Sequence, residues 1–233
     1  MTSDVTRAEA STRPGTARWA AGAFSLAAGL VVFVSIVVQI TDRVVNNAFD
    51  PAEYFSYFTI QSCLINIVVL TVGGVMAFRR DSDTVLYTMM RMSVVAYAVV
   101  TAGVYNALLR NIPYEGFQGV QWPNEVIHVW IPIYIALDWL LASGRPALGW
   151  TGLRVVIIYP LAWLAYTMVR GAITAYYPYP FLEPATGWVS VGAYIVGISA
   201  FIIGIAALAI AYGRWPATRA YAVPAPRRGR RRE

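Results

Sequence analysis

Six runs of roughly twenty apolar residues, almost free of charge, fill most of this chain. A bilayer core is about 30 Å thick and takes a helix of about 20 residues to cross. No water is present at that depth, so each backbone N–H and C=O must bond within its own segment, which selects the α-helix. The runs cover 19–41, 55–78, 85–109, 126–144, 155–177 and 188–213. Soluble domains carry about 25% charged residues. This chain carries 13%, against 58% hydrophobic residues, and the charges gather between the runs. The expected fold is an all-α integral membrane protein with six transmembrane helices in one bundle.

The first run is too long for the apolar core of a signal peptide, which is about 7–15 residues, and no small-x-small cleavage site follows it. It reads as a retained span. Residues 1–16 are polar and read as a disordered N-terminal stretch; 17–214 form the six-helix domain and 215–233 a basic tail.

All 18 basic residues are arginine. Without lysine there is no Schiff base to retinal or pyridoxal, no phosphate-loop lysine and no lysine general base. The arginine and alanine bias is that of a GC-rich genome and points to a bacterial plasma membrane. Cys63 is the only cysteine and His128 the only histidine, which leaves no intramolecular disulfide and argues against a zinc site of the usual ligands. No metal or other cofactor is expected. Fifteen of the arginines fall at the termini, around 79–91 and in the 145–154 loop. The positive-inside rule then makes both termini cytoplasmic. The tail Arg-Arg-Gly-Arg-Arg-Arg reads as a topology anchor attracted to anionic lipid. Nucleic-acid binding would need a second feature, and none is present.

Polar groups inside a bilayer are costly, so each needs a reason. Thr59 falls roughly 6 Å below the outer end of the second run and His128 about 3 Å below that of the fourth, at about 1.5 Å per residue. Two antiparallel neighbours at such depths can bring the two side chains together. Thr59, Ser62 or Cys63, and Asn66 share one helix face. Asn124 precedes His128 by one turn and can orient its ring. Tyr105 and Asn106 lie near the outer end of the third run, Arg170 near that of the fifth, and Glu183 in the following loop. These groups can converge on one outward-facing polar pocket. The plainer readings are a threonine bonded to a carbonyl one turn back, a structural histidine, and an Arg170–Glu183 pair or an interfacial Arg170. Asp138 lies roughly 15 Å deeper than His128 by helix rise, so it reads as a partner for Arg91 instead. Pro132 and Pro160 are candidate kinks.

The chain has no Gly-x-Ser-x-Gly elbow, no His-Glu-x-x-His and no phosphate-binding glycine loop, which excludes conventional serine hydrolases and metalloproteases. Phe58-Thr59, Asn124-x-x-x-His128 and Tyr179-Pro180-Phe181-Leu182-Glu183 occur in that order. Together they resemble the androgen-induced gene product and androgen-dependent TFPI-regulating protein family, over roughly residues 19–213. The resemblance implies a membrane hydrolase of fatty acid esters of hydroxy fatty acids. It implies a threonine nucleophile at Thr59 and a histidine base at His128. Asn66, Asn124, Tyr105 and Glu183 are then candidate oxyanion or substrate-binding groups, and Arg170 a candidate anchor for a substrate carboxylate. The expected partner is a long-chain acyl ester drawn from the bilayer. The competing reading is a non-enzymatic six-helix protein, either a small transporter or a lipid-binding scaffold. Transporters often carry inverted repeats, and none is evident here.

Overall fold

The computed structural model describes residues 14–112, 116–141 and 144–215. The expectations for residues 1–13 and for the arginine-rich tail lie outside the described residues. Among the described residues all regular structure is helical. The elements are α1 (Thr16–Val45), α2 (Pro51–Tyr54), α3 (Phe58–Arg79) and α4 (Val85–Val104), which runs on as a π-helix over Tyr105–Leu109. Then come α5 (Trp122–Glu125), a π-helix over Val126–Trp130, and α6 (Ile131–Leu141), joined end to end. After α7 (Gly152–Val156) and α8 (Ile158–Thr174), two 3₁₀ turns, Pro180–Leu182 and Pro184–Thr186, lead into α9 (Trp188–Arg214).

Among the described residues, five helices are long and apolar enough to cross a membrane: Thr16–Val45, Phe58–Arg79, Val85–Leu109, Gly152–Thr174 and Trp188–Arg214. Large apolar side chains such as Phe24, Leu30, Val189 and Val196 stand exposed on the outside of the bundle. Such a surface suits lipid and not water. The fourth expected span is helical over 122–141 but is made of three joined pieces, the longest of 11 residues.

The second span begins later than the hydropathy suggests, at Phe58 instead of 55. The reason is local hydrogen bonding. Asp50 Oδ1 accepts from the N–H groups of Ala52 and Glu53 at 2.7 and 3.1 Å, and Pro51 occupies the first helical position. Ser56 Oγ then donates to the Glu53 carbonyl at 2.6 Å, and Gln61 Nε2 to the Phe55 carbonyl at 2.8 Å. A short separate helix results, and Thr59 becomes the second residue of α3 instead of lying a turn inside it. Similarly, Pro160 sits just after a break at Ile157, in the first turn of α8, where its missing N–H costs least.

The core is built around α4, which packs against α3, α6, α7 and α9. Met92, Val94, Ala96 and Val100 of α4 are fully or almost fully buried. Helix α1 lies along α3 through small residues. A Cβ added at Gly22 would stand 2.9 Å from the Ala77 Cβ, so the close approach depends on glycine there.

At the end of the bundle opposite Thr59, buried charges tie three helices together. Arg91 Nη2 meets Asp138 Oδ2 at 2.6 Å, the pairing expected from depth alone. Asp83, just before α4, completes the cluster by accepting from Arg18 Nη2 at 2.6 Å and from Arg91 Nη1 at 3.0 Å.

Candidate active site

Thr59 starts from an unusual position for a membrane threonine. In the first turn of α3, its carbonyl is used by Ser62 Oγ at 2.9 Å. The carbonyl four residues back, that of Phe55, is occupied by Gln61. The Thr59 hydroxyl itself makes no bond to a helix carbonyl. Aromatic side chains from α8 and the following loop fix this helix end. Trp163 Nε1 donates to the Ser56 carbonyl at 2.9 Å and the Tyr159 hydroxyl to the Phe58 carbonyl at 3.2 Å. The Tyr179 hydroxyl accepts from the Thr59 N–H at 3.4 Å and lies beside the Thr59 hydroxyl. Burial pushes the Tyr179 phenol up to about 12, so it remains protonated and able to donate.

His128 is held from two sides. Its Nδ1 lies 2.9 Å from the Asn124 carbonyl oxygen. A carbonyl only accepts, so Nδ1 carries the proton and the neutral ring presents Nε2 as a base. The Tyr105 ring stacks on the imidazole, centroids 3.9 Å apart and planes 21° from parallel. Asn124 Nδ2 in turn donates to the Tyr105 hydroxyl. Asn124 thus orients the histidine with its carbonyl, while its side chain locks the stacking partner.

The two π-helical stretches make this clamp. Pro132 has no N–H for the carbonyl four residues back, which is that of His128. The turn widens, and Ile131 bonds the Val126 carbonyl five residues back. The untied His128 carbonyl accepts from Asn106 Nδ2 at 3.4 Å. Across from it, Asn106 Nδ2 also takes the Ala102 carbonyl at 2.8 Å, and Arg110 N–H reaches back five residues to the Tyr105 carbonyl at 2.8 Å. Arg110 links the two stretches through Glu125 at 2.9 Å and Asn106 at 2.8 Å. Single-turn π-helices recur at functional sites because the inserted residue re-aims side chains.

A polar cavity of about 720 Å³ opens at this end of the bundle, and Thr59, His128, Tyr105, Asn124, Tyr179 and Arg43 are among the residues that line it. No hydrogen bond joins Thr59 to His128 directly. A second, apolar slot of about 80 Å³ adjoins it between α4, α8 and α9; Thr59, Tyr105, Leu109 and Tyr179 line both spaces.

Of the expected site residues, Thr59, His128, Tyr105 and Asn124 therefore meet at one cavity. Three others do not. Asn66 is buried on α3, its Oδ1 without a hydrogen-bond partner, roughly 10 Å beyond Thr59 by helix rise and away from both spaces. Glu183 is exposed, because the two 3₁₀ turns around it face it outward. Arg170 stacks over the Tyr176 ring at 4.8 Å, behind the cavity wall, and is not ion-paired to Glu183. Two arginines reach the cavity: Arg110, already held by Glu125, and Arg43, from the last turn of α1. Arg43 lies over the Tyr54 and Phe117 rings at 5.7 and 6.0 Å, without a salt bridge among the described residues. Tyr179, Arg43 and Arg110 were the residues the sequence pattern did not single out for the site. A usable signal for the clamp was present in Pro132, four residues past the only histidine.

Comparison with known proteins returns no matching family model, no matching characterised protein and no matching solved structure. Among the described residues no cluster of histidine, cysteine and carboxylates is suited to a metal ion.

Proposed function

We propose that the protein is an intramembrane lipid esterase with Thr59 as nucleophile and His128 as general base. In this reading 122–141 is a sixth span, both termini are cytoplasmic, and the cavity faces the outer leaflet. The observation that carries the reading is the tautomer lock. The single histidine spends Nδ1 on the Asn124 carbonyl and offers a basic Nε2 in the same cavity as a threonine hydroxyl that no helix carbonyl claims.

Nε2 of His128 takes the Thr59 proton as Oγ1 attacks the ester carbonyl carbon. The carbonyl electron pair moves onto oxygen. The Tyr179 hydroxyl, whose oxygen already accepts from Thr59 N–H, is free to donate to that oxyanion, and the positive end of α3 adds to the field. The C–O bond then breaks, and the imidazolium returns its proton to the departing alcohol. Water, deprotonated by His128, hydrolyses the acyl-threonine to a free acid and regenerates the hydroxyl. The gap between Thr59 and His128 closes when substrate is bound, as is common for catalytic hydrogen bonds in ligand-free sites. Arg43 serves the polar or anionic end of the substrate. Fatty acid esters of hydroxy fatty acids, the class implied by the motif resemblance, supply both an apolar acyl chain and a carboxylate.

The test is hydrolysis of a palmitoyl ester of hydroxystearic acid by protein in nanodiscs, beside Thr59→Ala and His128→Ala. The expectation is activity in wild type and its loss in both variants, with an acyl adduct trapped on Thr59. Equal activity in all three would refute the assignment. Saturable lipid binding with no hydrolysis of any ester would move the reading to a lipid-binding scaffold.

A further inference from the structure

The apolar slot beside Thr59 is walled by Val100 and Val104 of α4, by Phe181, and by Ile198, Ser199 and Ile202 of α9. Pro160, Trp163 and Leu164 of α8 complete it. Four features distinguish its α8–α9 side. First, no tight seam joins α8 to α9, whereas Tyr159 and Trp163 of α8 bond the start of α3. Second, Pro160, Leu164, Ile195 and Ser199 are half-buried, whereas Val100 and Ile202 on the inner wall are buried. Glycines 192, 197 and 204 on α9 have open space where a side chain would stand. Helices α8 and α9 are also the least buried of the apolar spans, 17% and 22% of their most hydrophobic stretch. The slot is therefore closed toward the bundle and open toward the bilayer, and its upper end is Thr59.

We propose that the gap between α8 and α9 is a lateral portal that admits one acyl chain from the surrounding lipid and lays it along α4 and α9, with its carbonyl at Thr59. This rests on the esterase reading and adds the orientation of the substrate: acyl chain in the slot, alcohol portion in the polar cavity. The slot's 80 Å³ is too small to enclose a long chain, so the distal methylenes stay in the bilayer between the two helices. The occupant is an aliphatic chain because the walls are almost wholly apolar and continuous with lipid. A chain already in lipid gains little hydrophobic energy on entering the slot; what the slot supplies is placement of the carbonyl at Thr59.

Ser199→Trp fills the slot from α9 and Leu164→Trp from α8. Val196→Trp, at a position 69% exposed on the lipid face of α9, is the control. The first readout is the kcat/KM ratio of p-nitrophenyl decanoate to p-nitrophenyl acetate. Val196→Trp is expected to keep the wild-type ratio, and the slot variants to lose about tenfold or more of it, compared at one lipid-to-protein ratio so that partition into the bilayer cancels. The second readout does not need turnover: fluorescence of 11-(dansylamino)undecanoic acid bound to protein in nanodiscs, displaced by decanoate. Loss of displaceable binding in either folded slot variant, with retention in Val196→Trp, supports the portal. Wild-type ratio and binding in both slot variants overturn it. Binding that obeys this pattern in a protein that hydrolyses neither ester leaves the slot standing and removes the esterase.

Discussion

Replacing Asp83 by asparagine tests the charge cluster that holds the end of the bundle opposite the site. The Asp83 carboxylate is 3% exposed and bonds two guanidinium groups at 2.6 and 3.0 Å. Charges about 4 Å apart attract by about 4 kcal/mol at an effective dielectric constant of about 20. Two such pairs offset the cost of bringing Asp83 out of water. Asp83→Asn keeps the shape but removes the charge, and its amide N–H₂ must face one of the two arginines. Arg91 then keeps Asp138, which serves it through Nε and Nη2 at 3.1 and 2.6 Å, while Arg18 loses the Asp83 carboxylate and keeps its bond to the Arg80 carbonyl. Breaking a buried pair from one side costs about 3–5 kcal/mol. For a chain of this size each kcal/mol moves the midpoint by about 2–4 °C, so the loss is roughly 6–20 °C. The assay is thermal loss of the monodisperse peak in size-exclusion chromatography from nanodiscs, with intrinsic tryptophan fluorescence as a second probe. An Arg18→Gln, Asp83→Asn cycle should show coupling of about 1–3 kcal/mol. A shift within about 2 °C of wild type, or additive single changes, would refute the view that Asp83 is the hub of the cluster.

Further expectations concern the site. Tyr179→Phe removes the proposed oxyanion donor and should lower kcat by about 100-fold with little change in KM; a wild-type kcat would eliminate that role. Tyr105→Leu removes both the imidazole stack and the Asn124 acceptor, and steady-state kinetics should show kcat down by about tenfold, whereas Tyr105→Phe keeps the stack, worth about 0.5–1.5 kcal/mol, and should lose much less. Pro132→Ala returns an N–H beneath the His128 carbonyl; the expected outcome is a higher thermal midpoint together with lower activity, and a gain in both would contradict the view that the widened turn at Pro132 serves the site. Arg43→Gln should raise KM for carboxylate-bearing esters and leave their methyl esters unaffected, read from paired titrations of the two substrates.

Hydropathy placed five of the six expected spans to within a few residues because, in this chain, the length of each apolar run and its flanking charges decide where a helix can lie. It erred at Phe58 and at Ile157, where hydrogen bonds of Asp50, Ser56 and Gln61 or a proline override the average. Depth along a helix axis is also one-dimensional, and it sufficed to pair Arg91 with Asp138 and to bring Thr59 and His128 to one end. Azimuth was not legible. Asn66 shares a helix face with Thr59 yet lies too deep to meet the cavity, and Arg170 and Glu183 have the right depth but the wrong direction.

What the sequence by itself determined is the set of apolar helices and the short list of groups able to do chemistry, because burial of polar atoms in lipid is costly enough to be visible in composition. What only the tertiary structure decided is which of those groups face one another. That depends on the two π-helical turns that rotate Tyr105 and His128 into contact, on a loop tyrosine 120 residues away in sequence bonding Thr59, and on the gap left between α8 and α9. Each arises from packing between segments distant in the chain, and no local pattern encodes it.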